Sequence, residues 1–549
     1  MPAIDTAPSH SNHCTLVDLL GASMAHYHDR TALVSLGGRL TYSELDRHAT
    51  RWVTWLSSQG LAKGARVAIM LPNVMASTVT LLGTLRAGLT VVNINPLYTA
   101  RELQAQLLDC EPEVLVVFEA FAATVQKLPQ TARPRRIVVV AAGDLLGPLK
   151  GFLVNLVVHH VQRKVPAWEL EGSYAFRDTL RQASGNTIGA ADIQPDDVAF
   201  LQYTGGTTGE PRAAMLTHGN VVANILQVDE VAQPAIGDLL PAPLTMLTAL
   251  PLYHVFAMTV CELYPLYRGM RVVLIINPRD LKALTAVWRK ESPHIFPAVN
   301  TLFAGLLKFE EFKKLDFSKL RIALGGGMAV QAAVAKQWQA LTGRTIIEGY
   351  GMSETSPVIC ANPTDGREFS GTVGFPLPGT DVRILNDQHQ TVADGELGEI
   401  AVRGPQVMTN YWRADSETVG DCFTADGYFL TGDLGFQTPN GQVRIVDRKK
   451  DVILVSGFNV YPAELDAVFA NHPDVADCAA VGVPDDVTGQ AVRLYVVPAI
   501  DSIDMEALRQ WGQQNLAGYK RPRDICLIGS LPKNTVGKTL RRALRDQSV

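Results

Sequence analysis

The stretch "LQYTGGTTGEPRAAMLTHGN", residues 201–220, sets Gly205, Gly206 and Gly209 among Thr204, Thr207 and Thr208 and closes with Arg212. Glycines let backbone N–H groups approach an anion without Cβ interference and reach positive φ. Threonine hydroxyls add donors for phosphate oxygens. A guanidinium is a permanent cation suited to bidentate phosphate contact. The segment therefore has the chemistry of a phosphate cradle, yet it lacks the G-x-x-x-x-G-K-[ST] spacing of a Walker A loop. Taken alone, the same composition reads at least as well as a surface turn.

Strand-like and helix-like runs alternate around it. "TALVSL", "RVAIML", "TVVNIN" and "VLVVFE" are short apolar runs separated by helical stretches, and the rhythm recurs at "RVVLII" and "LRIALGGG". That pattern predicts βα units with buried, mostly parallel strands. Thr41 and Glu44 make a capping box at the head of "YSELDRHATRWVTWL". The cradle lies between "VAFLQYT" and "AAMLTH", two strand-like runs, so it reads as a hairpin loop. Beyond Arg448 the texture becomes that of a compact α+β domain of about 100 residues, within the usual size range. It carries the strand-like runs "ADCAAVGVP", "AVRLYVVPA" and "DICLIGS" and two helices, one opened by Pro462.

At 549 residues the chain exceeds the size of a single core. A formal charge of −5 gives no global pull toward nucleic acid. Seven scattered cysteines with no C-x-x-C pair argue against a zinc site or a disulfide framework and suit a reducing cytosol. "MPAIDTAPSHSNHC" has no signal-peptide core, and no apolar run reaches the roughly 18 residues of a membrane-spanning helix.

Ordered blocks extend the reading. "YTGGTTGEPRAAMLTH", "PLYHVFAMT", "GGGM", "EGYGMSET", "YFLTGDLG", "VDRKKDVILVSGFNVYPAELD" and "LPKNTVGKTLRR" resemble, in the same order, the blocks of the adenylate-forming superfamily. The phrases "NPLYTARELQAQL", "NTLF" and "GYFLTGDLGFQTPNGQVRIVDRKKD" are most similar to bacterial long-chain fatty-acid–CoA ligases of the FadD type. The resemblance implies an α/β fold, with a large multi-subdomain N-terminal adenylate-forming domain, 1–447, and a small mobile α+β C-terminal domain, 448–549. It implies ATP contacts at Thr204, Gly205, Gly206, Thr207, Thr208, Gly209, Arg212, Gly325, Gly326, Gly349, Tyr350, Gly351, Thr355, Asp433 and Arg448. Tyr350 would stack on adenine, Thr355 touch phosphate and Asp433 hold the ribose. Thr204 and Glu354 would hold Mg²⁺. His254 would sit near an acyl pocket made by Phe256, Met258 and Gly326. Asp447 would be the hinge, Lys450, Ser456 and Gly457 would face coenzyme A, and Lys538 would be the adenylation lysine. One departure stands out: the usual Pro-Lys-Gly that ends the phosphate loop is Pro211, Arg212 and Ala213 here. Arginine keeps the charge but not the compact ammonium.

Each of these residues has a plainer reading. His254, between Tyr253 and Val255, suits a core; Glu354 suits the first turn of a helix; Asp433 after Gly432 suits a turn. Lys538 shares a cationic tail with Lys533, Arg541 and Arg542. Their shared order favours the site. The implied reaction is activation of a fatty acid by MgATP to acyl-AMP, then transfer to coenzyme A. An acyl-AMP ligase, a luciferase-like oxygenase or a non-catalytic acyl sensor is the alternative, and a homodimer is left open. "GPLKGFLVNLVVHHVQRKVPAW" spaces Phe152, Leu153, Leu156, Val157 and Val161 helically, with Lys150, Arg163 and Lys164 beside them. That suits either an interfacial helix or one docked on a core. A similar stretch in the FadD-type ligases implies peripheral contact with the inner membrane from the cytoplasm.

Overall fold

The computed structural model describes residues 14–162, 164–182, 191–204, 212–240, 242–366, 368–414, 422–500, 503–534 and 537–546. The chain divides into two compact units: residues 1–370, 377–380 and 404–419, and residues 371–376, 381–403 and 420–549.

The first unit holds two sheets. In one, Arg66–Met70, Thr90–Asn93, Val114–Phe118 and Arg136–Val140 run parallel, and Val198–Thr204 lies parallel to Thr90–Asn93. Val114–Phe118 and Thr90–Asn93 are buried at every position, which accounts for the unbroken apolar run of the first and the paired valines of the second. In the other, Thr245–Thr248, Arg271–Leu274, Ile295–Ala298, Ile322–Gly325 and Ile346–Gly351 are parallel. Thr31–Ser35 joins this second sheet, parallel to Arg271–Leu274. Its core is aromatic: Trp288, Phe296, Phe303, Phe312 and Trp338 are buried together, mostly edge to face. The expected capping box is present, with Thr41 and Glu44 bonded reciprocally at the head of Tyr42–Ser58.

The second unit holds two antiparallel cores. Asp381–Leu385, Gly398–Arg403, Phe429–Gln437 and Val443–Arg448 form one sheet. Ile453–Val455, Phe458–Val460, Val475–Asp485 and Gly489–Pro498 form another, with Asp524–Leu527 parallel to Gly489–Pro498. The helices Pro462–Phe469 and Met505–Asn515 cover it through Leu465, Phe469 and Leu508. Pro462 stands at the first turn, where no N–H is missed. Position 447/448 falls inside this unit, at the end of the strand that closes its first sheet.

Candidate functional site

The phosphate-loop candidate is carried by a hairpin, as its flanking runs suggest. Val198–Thr204 pairs antiparallel with Arg212–Thr217, and Thr204 stands directly opposite Arg212. The Thr204 hydroxyl lies 3.3 Å from the Arg212 carbonyl and donates to it. Gly205, Gly206, Thr207, Thr208 and Gly209 lie outside the described residues. The hairpin base is braced on both sides. The Tyr203 hydroxyl donates to Asp109. Asn410–Tyr411 pairs with Arg212–Thr217 on the far side.

Glu354 follows Ile346–Gly351 in a single turn, Ser353–Thr355, and is buried. Its Oε1 accepts the Tyr411 hydroxyl at 2.7 Å, and its carbonyl accepts the Met408 N–H at 2.7 Å. Thr355 is fully buried, and its hydroxyl bonds the carbonyls of Met352 and Pro357. Tyr350 lies at the end of the strand, 8 % exposed, between Gly349 and Gly351.

The acyl-side candidates come together from different elements. A Cβ on Gly326 would meet the Phe256 ring at 2.8 Å, so Phe256 lies directly on the glycine face. Met258 is fully buried, and its sulfur accepts from Asn93 Nδ2 at 3.3 Å. His254 is partly exposed as a residue, yet desolvation pushes its imidazole down to about 4, so it is neutral at pH 7.

Within the second unit, Asp433 and Arg448 are cross-strand neighbours, and Arg448 Nε lies 2.6 Å from Asp433 Oδ1. Lys538 joins their field. Desolvation, then the charge of Arg448, with Lys450 adding to it, push its ammonium down to about 8, against Asp433 and Asp451. The residue as a whole is exposed, so the shift owes much to the cations gathered around it. Lys450 is also lowered, by desolvation first and then Arg448. Asp447 has its carboxylate on two backbone N–H groups, Arg448 at 2.7 Å and Ala463 at 2.7 Å. Its second bond satisfies a first-turn N–H of helix Pro462–Phe469, which ties that helix to the preceding strand. Ser456 and Gly457 are the exposed corner of a two-residue hairpin. Both have positive φ, 50° and 83°, the geometry of a type I′ turn.

Two site neighbours gave no signal in the sequence reading. Tyr411 lies in the short run "NYW", 57 residues beyond the glutamate it touches, and Asp451 lies in a cationic stretch where it counts as one charge among several. The described residues contain no cluster of three metal-binding side chains. Mg²⁺ is commonly held by one or two carboxylates with substrate phosphates and water, and Glu354 is a buried carboxylate of the kind it takes. A cavity of about 360 Å³ lies elsewhere, lined by Lys63, Arg66, Asp197, Val198, His218 and Trp412. Its lining reaches Leu201 but includes none of Thr204, Arg212, Tyr350, Glu354 or Thr355.

Helix Pro148–Leu156 continues into the π-turn Val157–Val161. Most of its large apolar side chains face water: Leu149, Phe152, Leu153, Leu156, Val157 and Val161 are exposed, while Val154 and Val158 are partly buried. Its inner side is small and polar. Gly151 lies against Gly143 with no room for a Cβ on either. Asn155 Oδ1 accepts the Gly143 N–H at 2.6 Å, and His159 Nε2 lies 2.8 Å from buried Glu119. No helix of the described residues is long and apolar enough to cross a membrane.

Residues 20–412 match the AMP-binding enzyme family, and residues 464–538 match the AMP-binding enzyme C-terminal domain. The chain belongs to the AMP-binding enzyme family. It is 42 % identical over 535 residues to a long-chain-fatty-acid–CoA ligase of Escherichia coli O157:H7, covering 97 % of this chain and 94 % of that one. Its fold is that of an anthranilate–CoA ligase solved with anthranoyl-AMP, with a TM-score of 0.84 at 24 % identity over 99 % of both chains. An ATP-bound RpMatB–BxBclM chimera superposes with a TM-score of 0.81 at 26 % identity, over 96 % of this chain and 98 % of that one. The expected α/β fold, with a large adenylate-forming domain and a small C-terminal one, therefore stands.

Proposed function

We propose that this protein is a fatty acid–CoA ligase acting on long chains. The observation that carries the reading is the 42 % identity, across nearly its whole length, to a protein of that name. A carboxylate is a poor acyl donor, since its leaving group would be oxide. Its oxygen attacks the α-phosphorus of ATP, and pyrophosphate leaves. The coenzyme A thiol then attacks the acyl carbon, the acyl–phosphate bond breaks, and AMP leaves while the thiol proton passes to solvent.

The first step brings anions together, so fixed cations and donors supply most of the acceleration. Arg212 and the 205–209 loop would receive the phosphates, Tyr350 the adenine and Asp433 the ribose. Lys538 would lie between the carboxylate and the α-phosphate. Thr355, with its hydroxyl already turned inward, would shape the turn that presents Glu354. Magnesium held by Glu354 and Thr204 would neutralise phosphate charge. Phe256, Met258 and Gly326 would border the acyl chain, and Lys450, Ser456 and Gly457 would meet coenzyme A. The exposed apolar face of residues 148–161, with Lys150 and Lys164 beside it, would rest on the cytoplasmic face of an anionic membrane.

The test is AMP release with and without coenzyme A across fatty acids of increasing length. The expected result is release that requires coenzyme A and is fastest with long chains. Acyl-AMP that accumulates without transfer would make the protein an acyl-AMP ligase, and no response to any fatty acid would overturn the acyl assignment.

A further inference from the structure

Tyr411 touches two groups of the adenylation reading at once. Its hydroxyl donates to Glu354 Oε1 at 2.7 Å. The Arg212 guanidinium carbon lies 5.8 Å from its ring centroid. The segment that carries it is fixed independently. Tyr411 pairs with Ala214 on the hairpin strand, Trp412 N–H donates to the Ala213 carbonyl at 2.8 Å, and Asn220 Nδ2 donates to the carbonyls of Pro405 and Val407. Tyr411 is 9 % exposed and Glu354 is buried, so the hydroxyl bond is made where water competes little, while Arg212 meets the ring from the exposed side. A neutral phenol bonded to a carboxylate makes a strong charge-assisted bond that sets the rotamer of the acid. A guanidinium over an aromatic face is held by the ring quadrupole.

We propose that Tyr411 is a positioning residue for adenylation: its hydroxyl orients Glu354 toward magnesium, and its ring aims Arg212 at the phosphates. The proposal rests on the reading that Glu354 binds the metal of MgATP. It also bears on the departure at Arg212. A planar guanidinium can lie along the Tyr411 ring while its N–H groups reach past the edge, which a compact ammonium does less well.

The two contacts separate by substitution. Tyr411→Phe removes the hydroxyl and keeps the ring. Partners behind a metal ligand commonly change metal affinity by 10- to 100-fold. The expected result is an Mn²⁺ affinity about tenfold weaker, read by electron paramagnetic resonance in the presence of a non-hydrolysable ATP analogue, with nucleotide affinity at saturating metal within about twofold. Tyr411→Leu removes both contacts and should weaken the analogue at saturating metal by a further two- to fivefold or so. Thioester formation from supplied acyl-AMP should be unchanged in both. Circular dichroism melting of each variant, with Tyr411→Met as a second ring-less form, guards against misfolding.

The measurement uses no fatty acid, so it does not depend on the acyl substrate. Glu354→Gln serves as the reference. If it keeps full metal affinity, the metal assignment of Glu354 fails and the proposal with it. If it loses the metal while Tyr411→Phe keeps it, the positioning role alone is overturned.

Discussion

In the proposed adenylation Lys538 would bring positive charge to a phosphorus centre, and its surroundings make that charge costly. Desolvation and the Arg448 charge hold its ammonium down to about 8, while Asp433 and Asp451 oppose them. The sign follows: below about pH 8 the free enzyme carries the charged form, and as pH rises through that value the cation is lost. The kcat/KM for acyl-AMP formation reports the free enzyme, so it should fall on an alkaline limb near pH 8. In Lys538→Arg any residual activity should lose that limb, because a guanidinium stays protonated. Lys538→Ala should abolish acyl-AMP formation and affect thioester formation from supplied acyl-AMP much less; equal losses in both half-reactions would remove Lys538 from the adenylation step. Glu354, Asp433, Arg448 and Lys538 could be proposed from sequence because each sits in a recognisable block. Tyr411 could not, since its contact with Glu354 joins distant segments that no local pattern announces.

Among the elements, the hairpin that carries the phosphate-loop candidate was legible from two strand-like runs around a glycine-rich segment, and Thr41 with Glu44 marked a helix start. Residues 148–161 show the limit of such reading. Helical spacing gives an apolar face but not the direction it points. Here Gly143, Gly151, Asn155 and His159 hold the small and polar side inward, reversing the usual arrangement of a surface helix. Contiguous exposed apolar surface of this kind marks interaction sites. Leu149 is 74 % and Phe152 64 % exposed, so Leu149→Asp with Phe152→Asp should leave melting unchanged within a few degrees. Co-sedimentation with vesicles containing phosphatidylglycerol should fall at least about tenfold, since two large apolar side chains are lost from the contact, while turnover of a water-soluble fatty acid persists. Unchanged sedimentation would remove the membrane from the account.

For the whole molecule, the alternation of strands and helices foretold a parallel α/β architecture but not which strands meet. Thr31–Ser35 joins Arg271–Leu274, some 240 positions away, because pairing is settled by long-range burial and not by neighbours in sequence. The proposed chemistry makes its own demand at this scale. Adenylation needs Lys538 at the acyl carbon, and transfer needs room there for a thiol. One surface cannot supply both, so the segment beyond a pivot should turn between the steps, with a few residues absorbing the change in φ and ψ. Asp447 has the connections of such a pivot. It is the penultimate residue of the strand Val443–Arg448, and its carboxylate accepts from the N–H groups of Arg448 and Ala463 across the start of the next core. Proline there fixes φ near −65° and removes an N–H. Asp447→Pro should therefore leave pyrophosphate release within about threefold and slow coenzyme A-dependent AMP release by roughly two orders of magnitude, the scale at which misplaced groups cost rate. Asp447→Asn, which keeps the backbone free, separates the loss of the carboxylate from the loss of rotation and should retain most transfer. If both rates of the proline variant fall together while its melting temperature holds, or if neither falls, residue 447 is not where the chain turns.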